Sequence, residues 1–371
     1  MSSRRSLAAG SLCAAMVAVL AGCGSTPASG PNGHSTSAAT SGAHAAKTAA
    51  SSPTSTPKQK GRLVIYAAEG YDQAMATAFH KATGIAVKLD DMSTGPLVAK
   101  IQAEKNNPQW DVAWFDGDGT METLNQAGLL LRHWQPANSA HYTSLGKRLQ
   151  PSDGSYIPTG VTAAGAIAYN TKLVPANEVP KHWSDLLKPF FKNAVGMDNP
   201  AISGPTYPVV AGMLNLRGMA GGEKYFSQLK ANGLRVFPTN KPTLQALTTG
   251  QIKVAIAQDS AEIQAMQQGA PIKIVYPTGG VTMLPGVLGI AKNAPDMAAA
   301  KAFANFVLSA QGQKVMLAKG GGDSNFNPII QGQKPNPVRQ QTGIKWNVAP
   351  VLWQAAHYSK IQTWFKDTIA G

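Results

Sequence analysis

Residues 62–89, RLVIYAAEGYDQAMATAFHKATGIAVKL, hold a strand, a helix and a second strand in immediate succession. The apolar run Leu63–Ala67 predicts a buried strand. Asp72–Ala82 predicts a helix that stops at Gly84, and Ile85–Leu89 predicts the next strand. Strand, helix and strand at this spacing indicate a parallel βαβ unit covered by helices.

The same alternation continues through most of the chain. Further strands are predicted at Asp111–Phe115, Ala166–Tyr169, Val195–Met197, Arg235–Phe237, Val254–Ala257, Lys273–Tyr276 and Val287–Ile290. Helices are predicted to end near Glu104 and Leu216 and to cover Thr120–Ala127, Trp183–Leu187, Glu223–Lys230, Thr243–Thr248, Met297–Leu308 and Gln311–Leu317. Because this number of strands exceeds one comfortable sheet, we predict an α/β fold with two lobes.

The N-terminus has the pattern of an export signal. Arg4 and Arg5 precede the apolar run Leu7–Leu20, which is too short to span a bilayer comfortably. The following Leu20-Ala21-Gly22-Cys23 resembles the lipobox of bacterial lipoproteins. This implies a signal peptide at residues 1–22 and lipidation of Cys23. An uncleaved anchor helix and an ordinary signal with an accidental cysteine are the alternatives.

Residues 23–60 are rich in Ser, Thr, Ala, Gly and Pro and show no apolar period. Such a segment cannot bury enough apolar surface to fold, so we expect a disordered tether. Its root-mean-square reach would be on the order of 35 Å. Cys13 and Cys23 are the two cysteines of the chain, and the body after residue 60 has none. Disulfides, cysteine-ligated zinc and cysteine nucleophiles are thereby excluded from the body.

The charge of the chain is strongly basic, at +14. The first 60 residues carry five Lys or Arg and no acidic residue, so residues 61–371 keep +9. These positive charges are scattered rather than clustered, which favours a solvated basic surface over nucleic-acid binding. Nucleic acid is therefore not an expected partner.

No catalytic motif stands out in the body. The sequence lacks Gly-x-Ser-x-Gly, His-Glu-x-x-His and a Gly-rich phosphate loop followed by Lys-Ser/Thr. Its five histidines after residue 60 show no metal-ligand spacing. We therefore expect no enzyme activity, no catalytic residues, no metal and no cofactor, and a secreted hydrolase is the alternative from a different class.

Several segments carry a family likeness in collinear order over residues 62–330. They are Val64–Tyr66, Asp111–Trp114, Asn199–Thr206, Gly250–Ala255 and Ala302–Gln313. Together they resemble the solute-binding proteins of ABC importers, in the group that includes ferric-ion, aminoethylphosphonate, thiamine and polyamine binders. The resemblance implies a type II periplasmic-binding-protein fold, a Venus flytrap whose lobes are mixed, mainly parallel sheets flanked by helices.

The resemblance also implies the lobe boundaries. Lobe 1 would take residues 61–160 and 276–325, and lobe 2 would take residues 165–275 and 340–371. The C-terminal Trp353–Trp364 segment would pack back on lobe 2, with hinges near Gly160–Gly165 and Tyr276–Gly280.

By the same resemblance, the protein is an exported, membrane-anchored lipoprotein that faces the periplasm or the cell exterior. It would act as a monomer that captures a small polar solute between its lobes and delivers it to a membrane permease. A zwitterionic or phosphonate-like solute is favoured, and a ferric ion or a polyamine is the alternative within the same family.

In such folds the solute meets loops at strand ends and helix N-termini. Hydroxyls at two helix starts suit an acidic group, and carboxylates beside aromatic rings suit a cation. The ligand-binding candidates are Glu69, Tyr71, Ser93, Thr94, Trp114, Asp116, Asp118, Ser203, Thr206, Tyr207 and Asp259.

Three points about these candidates stay open. The hydroxyl residues have helix capping as their alternative role, and Asp116 and Asp118 have capping of the Thr120 helix. Asp116 falls where ferric-binding members carry a carboxylate ligand. Those members also have adjacent tyrosines where this chain reads Gln258-Asp259, which puts phenolate coordination of iron in doubt.

Overall fold

The computed structural model describes residues 61–339 and 343–371. The predicted signal peptide, Cys23 and tether lie outside the described residues. Within them, no helix is long and apolar enough to cross a bilayer.

The strands form two separate sheets. Their bounds are β1 Arg62–Ala67, β2 Ala86–Asp91, β3 Val112–Asp116, β4 Ile157–Ala163, β5 Ala166–Asn170, β6 Val195–Asp198, β7 Arg235–Phe237, β8 Val254–Ala257, β9 Ile272–Val275, β10 Val281–Ile290 and β11 Trp346–Asn347.

Helices flank both sheets. Their bounds are α1 Asp72–Thr83, α2 Thr94–Ala103, α3 Asp118–Gln126, α4 Ser144–Leu149, α5 Thr206–Arg217, α6 Met219–Ala231, α7 Asn240–Thr248, α8 Asp259–Gln267, α9 Met297–Val307, α10 Ala310–Lys319 and α11 Val351–Phe365. Short 3₁₀ turns cover Ala137–His141, Ala176–Glu178, Trp183–Leu187, Pro189–Phe191 and Gly321–Ser324.

The first sheet has the order β11-β10-β3-β1-β2, and β4 also pairs with β10. Strand β1 lies parallel to both β2 and β3, as the opening βαβ pattern predicts. Strand β10 runs antiparallel to β3 and β4. The carboxyl ends of β1, β2 and β3 therefore meet at one edge of this sheet, where the chain turns into α1, α2 and α3.

The second sheet has the order β7-β6-β8-β5-β9. Strand β6 is parallel to β7 and β8, whereas β5 is antiparallel to β8 and β9. Each sheet thus combines parallel and antiparallel pairs, and the two-sheet α/β architecture predicted from the strand count is confirmed.

The chain crosses between the sheets twice along its main course. The first crossing is the link Ala164–Gly165 between β4 and β5, and the second is Tyr276–Gly280 between β9 and β10. Gly160 to Ala163 belong to strand β4, so the first crossing is shorter than the hinge expected at Gly160–Gly165. A Cβ at Gly165 would lie 2.8 Å from Val209 Cγ2, which shows how closely the backbone approaches α5 there.

Helix α11 touches both halves of the body. Tyr207 of α5 donates to the Gln354 carbonyl oxygen at 2.5 Å, and Gln362 Nε2 donates to the Pro200 carbonyl oxygen at 2.8 Å. Helix α11 also packs closely on α3, which follows the first sheet's β3. A Cβ at Gly119 of α3 would lie only 2.6 Å from Gln354 Cβ. The helix expected to pack on lobe 2 therefore also contacts the first helix turn after β3.

Three helices begin at least two residues earlier than the sequence predicts; α6 starts at Met219 instead of Glu223, and α7 starts at Asn240 instead of Thr243. Helix α3 begins at Asp118 rather than at Thr120, because Gly117 adopts φ +110° and turns the chain from β3 directly into the helix. Thr120 is therefore a buried residue inside the helix, not its cap. Helix α8, from Asp259 to Gln267, was not predicted at all.

Candidate functional site

A cavity of about 450 Å³ lies at the carboxyl ends of β1, β2 and β3. Its other wall is formed around the N-termini of α5 and α7, which belong to the half of the protein built on the second sheet. The first-sheet side contributes Ala68, Glu69, Gly70, Asp72, Gln73, Asp91, Met92, Ser93, Thr94, Asp116 and Asp323. The second-sheet side contributes Ser203, Gly204, Pro205, Thr239, Asn240, Lys241 and Gln258. We call this space the inner cavity.

Five of the sequence candidates line the inner cavity: Glu69, Ser93, Thr94, Asp116 and Ser203. They come together because three parallel strands end at one sheet edge, and each is followed by a polar turn. Thr94 starts helix α2, and Ser203 lies in the turn before α5.

The aromatic candidates do not line this cavity. Trp114 is completely buried in β3, where its indole Nε1 donates to Thr159 Oγ1 at 3.3 Å. Tyr71 packs against Trp114 with a ring separation of 5.0 Å, and it lines a small adjoining space together with Glu69 and Asp116. Tyr207 is held by its hydroxyl bond to Gln354. These rings belong to the core because their apolar bodies are packed between helices and sheet.

Three polar candidates are also held elsewhere. Asp118 is in the first turn of α3, where its Oδ1 accepts from the Gly119 N–H at 2.9 Å. Thr206 is buried in the first turn of α5. Asp259 is paired with Arg339, with Nη2 and Oδ2 2.8 Å apart. None of the three lines the inner cavity.

The first-sheet side of the inner cavity is strongly acidic. Its carboxylates are Glu69, Asp72, Asp91, Asp116 and Asp323, and Lys241 from the opposite side is the one basic residue in the lining. A Cβ at Gly286 of β10 would lie 3.4 Å from both Asp116 Oδ1 and Glu69 Oε1, so these two carboxylates face the same point.

Glu69 is the least satisfied member of this cluster. Its side chain is 4% exposed, and its Oε1 has no hydrogen-bond partner among the described residues. Burial, followed by the Asp116 and Asp323 carboxylates, raises the pKa of Glu69 well above its ordinary value. An unpartnered buried carboxylate oxygen is costly, so this position favours a donor or a cation.

The neighbouring carboxyls show the same effect. Burial and then the Asp323 carboxylate raise the pKa of Asp116 to about 8. Burial and then the Asp91 carboxylate raise the pKa of Asp72 to about 7. Carboxyls this close cannot all be ionised without a compensating charge.

The second-sheet side of the lining has no carboxylate and supplies hydroxyl, amide and ammonium groups instead. Helix α7 starts at Asn240 and follows Thr239, so the positive end of its dipole and the exposed Lys241 belong to this wall of the cavity. The Ser203 hydroxyl donates to Asp198 Oδ2 at 3.0 Å. This side is suited to an acidic group.

The two sides touch directly around the cavity. The Gly95 N–H donates to the Ile202 carbonyl oxygen at 3.1 Å. Gln258 Nε2 donates to Asp116 Oδ2 at 2.8 Å and to Thr162 Oγ1 at 3.1 Å. Hydrogen bonds therefore join the two sides at the cavity.

Sequence reasoning missed several lining residues. Gln258 had been noted only for the absence of tyrosine, although it reaches across to Asp116. Asp91 had a usable signal, since it lies two residues after the predicted second strand. Asp323 and Lys241 had none, because their positions depend on how distant segments pack.

Asp259 forms a buried junction close to both crossings. Its carboxylate accepts from the Ala163 N–H and the Tyr276 hydroxyl, each at 3.0 Å. Arg339 adds contacts of 2.8 Å and 3.3 Å, and its Nη1 also donates to the Asn325 carbonyl oxygen. Asp259 thus ties the sheets together instead of contacting the cavity.

The model for the family described as "Bacterial extracellular solute-binding protein" matches residues 74–336 of this chain. The chain belongs to this family, whose members are substrate-binding transport proteins that work with a membrane permease.

Curated relatives with known names are distant. A "Putative 2-aminoethylphosphonate-binding periplasmic protein" of Salmonella typhimurium is 25% identical over 65% of this chain and 70% of its own length. The "Major ferric iron-binding protein" of Neisseria gonorrhoeae is 26% identical over 66% of this chain and 74% of its own length.

Solved structures share the fold. The periplasmic binding protein AfuA of Actinobacillus pleuropneumoniae, with fructose-6-phosphate bound, aligns with a TM-score of 0.74 at 23% identity, covering 83% of this chain and 98% of AfuA. Iron-bound HitA of Pseudomonas aeruginosa aligns with a TM-score of 0.72 at 22% identity, covering 83% of this chain and 99% of HitA. These likenesses confirm the two-lobe type II fold.

The Asp259 junction gives a stability prediction. Arg339→Ala leaves the buried Asp259 carboxylate without its cation, so we expect the free energy of unfolding to fall by about 3–5 kcal/mol. Lys188→Ala is the control, because it breaks an exposed ion pair to Asp185 and should cost less than about 1 kcal/mol. Thermal melting compares the two, and equal losses would contradict the role given to the junction.

Proposed function

We propose that this family member is the exported solute-binding component of an ABC importer and that its solute is a small zwitterion with an amine and an acidic group. The observation that carries the proposal is the division of charge in the inner cavity. All five carboxylates come from segments attached to the first sheet, and Lys241 comes from the opposite side.

The amine would lie against Glu69 and Asp116. An ammonium group has three donors, and Glu69 Oε1 is a buried acceptor that lacks one. Placing a cation there offsets the mutual repulsion of the carboxylates and lets them ionise. The ammonium–carboxylate attraction is strong there because the Glu69 carboxylate is shielded from solvent.

The acidic group would lie against the second-sheet side. The start of α7 and the Lys241 ammonium supply positive potential there. This arrangement supports an aminophosphonate-like or aminophosphate-like solute. It agrees with the name of the Salmonella relative without depending on it.

A purely cationic solute such as a polyamine is the second candidate, since carboxylates outnumber the lysine in the lining. A ferric ion is less well supported, because no tyrosine lines the inner cavity among the described residues. Calorimetry with 2-aminoethylphosphonate, spermidine and ferric citrate separates the three. If spermidine is the only one that binds, the solute is a polyamine and the zwitterion proposal is wrong. If a bound solute is chemically converted, the protein is an enzyme instead.

We further propose that the protein is a monomer with lobes at residues 61–160 plus 276–325 and 165–275 plus 340–371. The lobes would close by bending at the two crossings. Neither a nucleic-acid partner nor a cofactor is needed for this function.

Substitution of one carboxylate tests the amine subsite. Asp116→Asn keeps an oxygen that can accept from Gln258 but removes a charge, so we expect affinity for 2-aminoethylphosphonate to fall roughly 10- to 100-fold. Removal of the same charge relieves repulsion, so the ligand-free melting temperature should rise.

Asp118→Asn is the matched control for this substitution. It removes a buried carboxylate only two residues away that does not line the cavity, so affinity should stay within about twofold. If the two variants lose affinity equally, Asp116 does not contact the solute.

The raised pKa values predict a dependence on pH. Carboxyls whose pKa is higher in the folded protein, such as Asp116 at about 8 and Asp72 at about 7, stabilise the ligand-free state at low pH and lose that effect as pH rises towards these values. The ligand-free melting temperature should therefore fall between about pH 5 and pH 9.

Because an ammonium group favours the ionised carboxylates, the shift in melting temperature caused by 2-aminoethylphosphonate should grow over the same range. Calorimetry at pH 7 in buffers of different ionisation enthalpy should detect released protons. A binding enthalpy that is independent of the buffer would contradict ionisation of the cluster on binding.

The lipid anchor has its own test. We propose that Cys23 is lipidated after cleavage of residues 1–22 and that residues 24–60 form the tether. Cys23→Ser should move the protein from the membrane fraction to the soluble fraction of the producing cell. Its affinity for the solute should not change, and membrane retention of the variant would point to an uncleaved anchor helix.

A further inference from the structure

A second and larger chamber adjoins the inner cavity. It has a volume of about 750 Å³ and lies between helices α7 and α8 and the glycine run at residues 320–322. The inner cavity and this outer chamber share Gly70, Asn240, Lys241 and Asp323 in their linings. The two spaces are therefore neighbours along one cleft.

The chemistry of the outer chamber differs from that of the inner cavity. Lys241 and Asp323 are its only charged lining residues among the described part of the chain, and both stand at the shared boundary. Beyond them the walls are neutral, with apolar Leu244 and Ala265 and the amide side chains of three glutamines. Charge is thus concentrated in the inner cavity.

The three glutamines are Gln245, Gln264 and Gln268. None of their side-chain amides is hydrogen-bonded to another residue in the described ranges 61–339 and 343–371. Each amide can donate two hydrogen bonds and accept others. Amides from two neighbouring helices at one chamber suit a neutral group that both donates and accepts, such as a hydroxyl or an amide.

The opposite wall is built from backbone. Gly321 has φ +57°, and a Cβ at Gly322 would lie 3.0 Å from Gln264 Oε1 and 3.2 Å from Ala261 Cα. A side chain at either position would be strained or would collide with α8. The glycine run therefore keeps this side of the chamber free of side chains while it lies close to Gln264.

We infer that the outer chamber is a second subsite, which binds a neutral, hydroxyl- or amide-bearing extension of a solute whose zwitterionic head occupies the inner cavity. This inference rests on the proposed function. The extension would pass the boundary formed by Lys241 and Asp323 and would be recognised by Gln245 and Gln264. A solute restricted to an amine and an acidic group would leave this subsite unused.

Two probes with identical charges test the subsite. Glycerophosphoethanolamine and the methyl ester of phosphoethanolamine both carry one ammonium and one phosphodiester anion, and only the first has a neutral diol. Calorimetry on the wild-type protein should show tighter binding of glycerophosphoethanolamine. Two additional neutral hydrogen bonds correspond to about tenfold.

The double variant Gln245→Ala/Gln264→Ala should remove that difference by weakening glycerophosphoethanolamine alone. The methyl ester should bind within about twofold of wild type. Gln228→Ala is the control, since this exposed glutamine of α6 lines neither space. Melting temperatures of all variants should match the wild type, because the substituted amides have no partners within the described protein.

The outcomes separate the two proposals. If both diesters bind the wild type equally, or the double variant weakens both equally, the subsite is overturned and the zwitterion site stands. If 2-aminoethylphosphonate binds and neither diester does, the extension is likewise overturned. If none of the three binds, the proposed function fails and the subsite fails with it.

Discussion

The buried Asp259 carboxylate is the constraint on which the arrangement of the two sheets depends. It accepts from Ala163, the last residue before the chain leaves the first sheet, and from Tyr276, the first residue after β9. Arg339 closes the junction and reaches the Asn325 carbonyl oxygen. One side chain therefore fixes the spacing of both crossings. Such a pair gains little net stability against apolar residues, but its geometry is demanding. We attribute its presence to orientation of the sheets.

The sequence predicted those parts of the fold whose signals are local. Strand β1 and helix α1 have clear periodicity, and Gly84 ends the helix in the left-handed conformation at φ 79°. Helix α8 was not predicted from the sequence because its buried residues are mostly polar. Asp259, Ser260 and Glu262 are buried, whereas a surface helix usually buries apolar residues. A helix whose buried face is polar has no hydrophobic period to detect.

The candidate site shows the same limit. Glu69, Ser93, Thr94, Asp116 and Ser203 were found because each follows a predicted strand or starts a predicted helix. Asp259 satisfies that rule equally well, yet it pairs with a residue 80 positions away, which no local pattern reveals. The aromatic candidates failed for a related reason. Whether a ring next to a strand end faces a cleft or the core is decided by packing from distant helices.

The charge of the whole chain also conceals the nature of the site. Residues 61–371 are basic, but five of the 19 acidic residues in the sequence line one cavity. Burying these carboxylates and bringing them together raises the electrostatic energy of the ligand-free protein, and the carboxyl pKa values of Glu69 and Asp116 are raised in response. The Gln258 amide bridges the two sides with a neutral donor and leaves that charge uncompensated. In the proposed function the solute's ammonium supplies the compensation. Closure would then be favoured most when the cavity is occupied, because only the occupied cavity balances its own carboxylates.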